Sequence, residues 1–262
     1  MINADKNFDP LAERLKKNVY DSDKGRVRLS VLKHDMLLSL PELTSRPNLQ
    51  ILDAGGGMGQ VARWLAEMGH NIVLCDLSQQ MLEIAAHENS ANGLTEKIEL
   101  VHSSIQSLPE KIPNRKFDII LLHGVIEWME NPEDAINTLT PLLIENGAIS
   151  LLFFNRDKLI LKWGINGQFA NANTGRAVES RKLTPHTPLS VSDILLPAAR
   201  NNLEIRSKAG IRIFYGFFAR MMREYKAGEQ TVELEKQYCR QEPFASLGEH
   251  THLILRHRNA PE

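Results

Sequence analysis

The sequence predicts an α/β protein in which a mostly parallel sheet carries helices on both faces. Three observations predict it. Short apolar runs alternate with stretches of helical periodicity along most of the 262 residues, the pattern of strand-helix-strand units. The run at 49–52 passes into a glycine-rich turn and then into Val61, Leu65 and Met68 at helical spacing. Residues 117–122 are nearly continuous in apolar side chains, as a strand buried on both faces must be.

The first 45 residues read as a helical extension. A polar stretch carrying Tyr20, Lys24 and Arg28 precedes a helix whose apolar positions are Leu29, Leu32, Met36, Leu37 and Leu40. Residues 49–52 form the first strand. The second, 71–75, ends in Asp76, and Ser78 caps a helix that Asn92 and Gly93 stop. Third and fourth strands follow at 98–101 and 117–122, and a helix over 133–143 leads through Asn146 and Gly147 to a fifth at 148–154. Residues 155–190 break the alternation: Leu159, Ile160 and Trp163 are spaced for a helix, then Gly164, Gly167, Asn171, Asn173 and Gly175 read as irregular chain. This insertion after the fifth strand is longer than most loops in compact domains, and it is the expected substrate cap. A helix over 191–202, a strand over 203–213, a helix over 217–238 and a strand over 251–255 complete a seven-stranded sheet. A single domain over 1–262 is expected, with 1–45 and 155–190 as its additions.

The ligand is read from the glycine turn. Gly55, Gly56, Gly57 and Gly59 fall within five positions, and glycine lets a backbone turn at positive φ and lets a ligand lie against bare main chain. A dinucleotide turn would be spaced G-x-G-x-x-G with a pyrophosphate on the helix N-terminus. Here Asp53 stands two positions before the first glycine, where a carboxylate repels pyrophosphate and attracts an ammonium group. Asp76, at the C-terminal edge of the second strand, is placed to accept hydrogen bonds from both hydroxyls of a ribose. An amino-acid end together with a ribose points to S-adenosylmethionine. His123, just past the fourth strand, faces the same site, first as a wall or hydrogen-bonding group and second as a catalytic base. After the third strand the segment His102-Ser103-Ser104-Ile105-Gln106 holds no acid for an adenine amino group, so the backbone at Ser104 or Ile105, with Gln106, is left to recognise the base.

Composition bounds the rest. The chain is 42% hydrophobic and 24% charged, enough for one sizeable core. Its start is polar, and no stretch approaches about 18 uninterrupted apolar residues, so a soluble cytoplasmic protein is expected. Cys75 and Cys239 are far apart, and neither a disulfide nor a metal site is expected. Net charge is −1, but residues 1–154 hold 14 basic against 21 acidic side chains and 155–262 hold 17 against 11. Such asymmetry is compatible with a nucleic-acid-facing half, and equally with ordinary solvated surface.

The D-x-G-x-G-x-G turn with an acid ending the next strand resembles the class I S-adenosylmethionine-dependent methyltransferases, which implies their Rossmann-like fold and cofactor and leaves the substrate open. Further strings go beyond that class. Asn7-Phe8-Asp9, Asn18-Val19-Tyr20 with Lys24-Gly25 and Arg28, Cys75-Asp76-Leu77-Ser78, Glu127-Trp128 with Asn131-Pro132, Phe154-Asn155, Gly210-Ile211-Arg212 and Tyr238-Cys239-Arg240-Gln241-Glu242-Pro243-Phe244 are similar to the tRNA 5-carboxymethoxyuridine methyltransferases nearly end to end. The resemblance implies methylation of the carboxylate on a modified wobble uridine in the tRNA anticodon loop. By it, Arg28 meets the cofactor's carboxylate, Gly55 and Gly56 lie against it beside Gly57, Asp76 and Leu77 hold the ribose and the adenine edge, Ile105 contacts adenine by its backbone, and His123 stands at the mouth. The lysine-rich insertion associated with that family is reduced here to Arg176, Arg181 and Lys182.

A carboxylate acceptor is already ionised at neutral pH, so no base is required and catalysis can come from alignment with the sulfonium methyl. No catalytic base is therefore assigned. Residues able to position the acceptor are Tyr20, Arg28, His123, Arg212 and Arg240. Trp163, Phe214, Tyr215 and Tyr238 are candidates for stacking on an unpaired base, with core packing as the competing reading for each. Glu127 and Trp128 read as the start or packing of the following helix. Rival readings are a methyltransferase for a small metabolite or quinone precursor, a non-catalytic S-adenosylmethionine-binding partner of RNA, and a nicotinamide oxidoreductase.

Overall fold

The computed structural model describes residues 5–15, 22–176, 185, 187–218 and 228–260; Tyr20, Arg181 and Lys182 fall outside them. Seven strands, β1 (Gln50–Ala54), β2 (Asn71–Asp76), β3 (Ile98–His102), β4 (Phe117–His123), β5 (Leu143–Phe154), β6 (Leu203–Ile211) and β7 (His250–His257), form one sheet in the order β3-β2-β1-β4-β5-β7-β6. β1 to β5 run parallel, and β7 runs antiparallel between β5 and β6. The predicted mostly parallel, seven-stranded sheet is thus what forms. Helices of eight or more residues are α1 (Asp23–Ser39), α2 (Gln60–Glu67), α3 (Gln79–Ala91), α4 (Pro132–Leu139), α5 (Arg156–Ile165), α6 (Val191–Arg200) and α7 (Glu229–Tyr238).

Strand periodicity divides the core into two layers. Ile51, Ile72, Leu74, Ile119 and Leu121 point to one face, where Val31 and Met36 of α1, Leu65 of α2 and Val232 of α7 cover them. Their neighbours Leu52, Val73, Cys75, Ile120 and Leu122 point to the other and meet Ile136 and Leu139 of α4 and Ile194 of α6. Because both faces are covered, the central strands read as continuous apolar runs.

Four elements differ from their sequence reading. The helix expected to reach residue 143 stops at Leu139 and continues as a 3-10 turn, Thr140–Leu142, since Pro141 lacks the N–H that the next α-helical bond needs. The fifth strand starts at Leu143: that residue pairs with Phe117, pairing resumes at Ala148 with Ile119, and the expected turn at Asn146-Gly147 lies inside this irregularity. A Cβ at Gly147 would sit 2.8 Å from the Asp118 carbonyl oxygen, so the bulge needs glycine there. The helix expected over 217–238 is seen as α7 only, with Phe217 in a turn after Phe214 and 219–227 outside the described residues. α1 also begins earlier than the apolar pattern indicates. Ser22 accepts the Gly25 N–H as its N-cap, which puts Lys24 and Arg28 on a helix rather than on an irregular arm. Among the described residues no helix is long and apolar enough to cross a membrane.

Leu121 is fully buried in the central strand. Leu121→Ala is expected to lower unfolding free energy by about 2–5 kcal/mol, read from the midpoint of urea denaturation; a loss below roughly 1 kcal/mol would mean the layer collapses around the gap.

Candidate active site

The glycine turn is pinned to the neighbouring strand. The N–H groups of Gly55 and Gly56 both donate to the Cys75 carbonyl, at 2.7 and 3.1 Å, and this holds the turn over the end of β2. Gly55, Gly57 and Gly59 have φ between +56° and +74°, a region in which other residues are strained. Gly56 is required for space: a Cβ there would lie 2.6 Å from the Asp53 carboxyl carbon and 2.9 Å from Leu74. From this turn Gly57 N–H donates to one oxygen of Asp76, and Ser78 N–H donates to the other, each at 2.8 Å. The carboxylate is thereby fixed with its remaining lone pairs toward the crevice, as a partner for a diol.

Arg28, Asp53, Gly55, Gly56, Gly57, Asp76, Leu77, Ile105 and His123, the nine residues predicted for the cofactor, line one pocket above the C-terminal ends of the parallel strands. Burial pushes the Asp53 carboxyl up to about 7, and Asp76 nearby adds to the shift. Burial also raises Asp76, against the lowering by its two N–H donors. Such carboxyls, together with bare glycine backbone, suit a ligand with a positive amino-acid end and a ribose. His123 is held well below the usual histidine value by burial, then by His252 and Arg28.

Several wall residues were given no site role from sequence. Glu127 is buried in the short turn after β4, its Oε2 has no hydrogen-bond partner, and burial pushes it up to about 7. It lines the pocket with Trp128, Phe154, Ser103 and His250, rather than opening the next helix. His250 lies at the start of the antiparallel β7, so its strand begins where the parallel ones end. Burial, Arg28 and Arg212 keep it well below the usual histidine value.

The N-terminal segment roofs the pocket. Asp5 accepts from Gln106 Nε2 at 2.7 Å and from the Glu130 N–H at 3.1 Å, while Asp9 accepts from Ser78 Oγ at 2.5 Å and the Gln80 N–H at 3.2 Å. Between them Phe8 meets Trp128 edge to face, with centroids 5.1 Å apart, and Lys6 Nζ lies 4.4 Å over the Trp128 ring. Gln106, expected near adenine, is therefore engaged by the roof. Ser103, Ser104 and Ile105 remain on the pocket wall.

Beside Arg28 on the pocket wall lies a cationic flank. Lys24, Arg28, Lys158, Lys162 and Arg212 influence one another and face two carboxyls, Glu249 and Glu235. Glu235 accepts the N–H groups of Ile213 and Tyr215 at 2.6 and 2.8 Å. Lys162 Nζ is 3.5 Å from Glu249 Oε1, whereas Glu249 Oε2, Lys158 Nζ and Arg212 Nε have no hydrogen-bond partner. Lys158 is fully buried, its Nζ 2.7 Å from the Phe217 ring centroid, and burial brings it down to about 7 against the opposing charge of Glu249. Arg212 holds φ +61° and belongs to this flank, outside the pocket lining.

Arg240 is not brought to the pocket. Its Nε lies 2.8 Å from Asp35 on α1 and its Nη2 donates to Ser39, so the fold uses its charge behind the sheet. Phe214 and Tyr238 pack on each other and on Phe244, with centroids 4.9–5.7 Å apart, and Trp163 and Tyr215 are buried, which is the core packing weighed against base stacking for each.

Comparison with known proteins agrees with this geometry. A methyltransferase-domain family matches residues 52–151. Magnesium protoporphyrin IX methyltransferase from Synechocystis PCC 6803, solved with bound SAH, shares the fold with a TM-score of 0.64 at 15% identity, over 95% of this chain and 96% of that one. The ubiquinone biosynthesis O-methyltransferase of Rickettsia canadensis is 32% identical over 130 residues, 48% of this chain and 53% of its own length. The fold and the matched domain define a class I S-adenosylmethionine-dependent methyltransferase. The tRNA 5-carboxymethoxyuridine methyltransferase of Escherichia coli K12 is 33% identical over 253 residues, 96% of each chain. The chain belongs to that family.

Asp53 has an ordinary value of 3.8 and a folded value of about 7, so the folded state retains a proton across that window and stability falls as pH rises through it. Asp53→Asn is expected to raise the Tm of the ligand-free protein at pH 8, by roughly 2–4 °C for each kcal/mol relieved, with no gain below pH 4. The same variant should bind S-adenosylmethionine less tightly. Equal Tm values at pH 8 by scanning calorimetry would show that the carboxyl carries no such stress.

Proposed function

We propose that the protein transfers a methyl group from S-adenosylmethionine to the carboxylate of 5-carboxymethoxyuridine at the wobble position in a tRNA anticodon loop, giving the methyl ester. Arg28 would meet the donor's carboxylate, Asp53 and Glu127 its ammonium, Asp76 its ribose hydroxyls, and Leu77 and Ile105 the adenine. When bound, S-adenosylmethionine supplies an electrophilic methyl on a positively charged sulfur. The observation that carries the choice of acceptor is the pairing of weak bases with surplus cations. Burial holds His123 and His250 well below the usual histidine value, and the flank next to them sets Lys24, Arg28, Lys162 and Arg212 against Glu235 and Glu249. An acceptor that arrives as an anion needs no base and is drawn to that flank.

In the transfer an acceptor oxygen bonds to the methyl carbon, the carbon–sulfur bond breaks with its electron pair going to sulfur, and no proton moves. The chain's task is alignment. Arg212 would hold the distal carboxylate oxygen and leave the attacking one free of a tight bidentate pair, which would blunt it. The insertion would cap the acceptor: α5 presents Ile165 and the short helix Phe169–Thr174 presents Phe169 to solvent, and Phe169 offers a face for an unstacked base. The family relative's acceptor, a nucleoside within tRNA, fits a cap of this size better than a small metabolite does. The similarity to the quinone enzyme covers only about half of the chain.

The test is to incubate the protein with methyl-labelled donor and tRNA from cells lacking the ester, then digest to nucleosides. Base-labile label in a modified uridine is expected, and label found only in a small-molecule extract would overturn the proposal in favour of a metabolite enzyme. Arg212→Gln should weaken tRNA binding by about 1.5–3 kcal/mol, the range for a hydrogen bond to a charged group, with donor affinity unchanged by calorimetry. Unaltered tRNA saturation would remove Arg212 from the acceptor side.

A further inference from the structure

A buried polar chain runs from the pocket wall through the sheet. His123 Nε2 is 2.8 Å from Ser150 Oγ on β5, Ser150 Oγ is 2.7 Å from His252 Nε2 on β7, and His252 Nδ1 is 2.5 Å from Asp35 Oδ2 on α1. Arg240 Nε closes the far end, 2.8 Å from the other Asp35 oxygen. Asp35, Ser150 and His252 are all fully buried, and nothing in the proposed transfer uses them directly.

The protons along this chain can be assigned from its ends. Burial works to raise Asp35, but the hydrogen bond and electrostatic pull of His252, and then Arg240, outweigh it and leave it below its ordinary value. It is therefore an acceptor, and His252 Nδ1 carries a hydrogen toward it. Arg240 already balances Asp35, so a second positive charge on His252 would be buried without a counter-ion. His252 Nε2 is then bare and accepts the one hydrogen of Ser150. The Ser150 oxygen in turn accepts from His123 Nε2–H. The remaining nitrogen, His123 Nδ1, is buried with no partner, and an unpaired buried acceptor is tolerated better than an unpaired N–H. Both ends give the same direction.

We propose that Asp35, Ser150 and His252 are positioning residues that hold His123 as its uncharged Nε2–H tautomer, so that no imidazolium faces the sulfonium in the donor pocket. The proposal rests on that pocket taking S-adenosylmethionine. Of the titratable groups around His123, Arg28 from α1 opposes a proton on it, as would any charge on His252 from β7. Glu127, on the turn after β4, shares its wall and is the carboxyl that would favour one. A cation there would repel the donor and would also pair with the incoming carboxylate. Arg240, distant from the pocket, sets the state through Asp35: without it, a proton on His252 gains a counter-ion, the hydrogen bonds reverse, and His123 is left with its hydrogen on Nδ1.

The test combines a tautomer measurement with two donors that differ in sulfur charge. Nitrogen-15 histidine spectra of the wild type should show His123 protonated on Nε2 only, from pH 6 to 8. In Arg240→Gln, altered at an exposed residue, the Nδ1–H form should appear as pH falls. The ratio of affinities for S-adenosylmethionine and S-adenosylhomocysteine, which share the ammonium and therefore Asp53 and Glu127, should stay flat with pH in the wild type. In Arg240→Gln His123 changes tautomer and not charge, so the ratio should stay flat there too, and in the Ser150→Ala background, where the chain is cut, Arg240→Gln should no longer move the tautomer. A His123 tautomer unmoved by Arg240→Gln, or moved equally with Ser150 removed, would overturn the proposal, as would an Nδ1–H or charged His123 in the wild type. Failure of the wild type to bind either compound would overturn the donor reading instead, and the nitrogen spectrum would still decide the tautomer.

Discussion

The two N–H groups of Gly55 and Gly56 that share the Cys75 carbonyl are the constraint from which the site follows. They bring the glycine turn over the end of the adjacent strand, which places Gly57 N–H on Asp76 and leaves Asp53 beneath Gly56. A side chain at position 56 would have to displace that carboxyl. The turn is therefore a spatial agreement between two strands and a helix start, and the pocket is what remains when that agreement is kept with as little side-chain volume as the chain allows.

Around this turn the protein concentrates groups that burial holds away from their ordinary protonation. Asp53 and Glu127 are pushed up, His123 and His250 are pushed down, and Lys158 is brought to about 7. Each such shift opposes folding wherever the group would ionise in the unfolded chain. A ligand with a positive amino-acid end and a negatively charged acceptor would complement both sets at once. The stress is gathered at and beside one pocket, with the carboxyls Asp53 and Glu127 on its wall and the cations of the flank next to it, and the rest of the fold is conventional enough to carry it.

Much of the fold could be read directly because parallel strands buried on both faces leave continuous apolar runs, and Asp76 could be read because ligands gather at the ends of such strands. What escaped was set by distant chain. Glu127 sits before Asn131 and Pro132, an ordinary helix start, and it is chain distant in sequence, Arg28 on α1, Phe154 ending β5 and Thr187, that makes it part of a buried wall. His250 escaped because the strand-end rule counts the last residues of parallel strands, while an antiparallel strand offers its first. Asp35 did carry a signal, since it interrupts the apolar face formed by Leu32 and Met36, but its partner lies 217 residues away. Arg240 was noticed for the string around it, and its charge is used on that same aspartate. At the end of α4, Pro141 was the available clue, and helical periodicity running past it concealed the stop.

The place of β7 has a bearing on how the molecule is made. β5 is complete at Phe154, yet its outer neighbour does not begin until His250, and β6 is made before the strand that joins it to the sheet. A chain leaving the ribosome thus holds the glycine turn and four paired neighbours early, while β6 waits with both of its edges open. Ser150 and Asp35 wait as well, polar groups destined for the interior whose shared partner, His252, is still to come. Synthesis of one late segment, residues 250–257, closes the sheet and quenches those groups in a single step, so this stretch decides whether the nascent protein matures or exposes an adhesive edge.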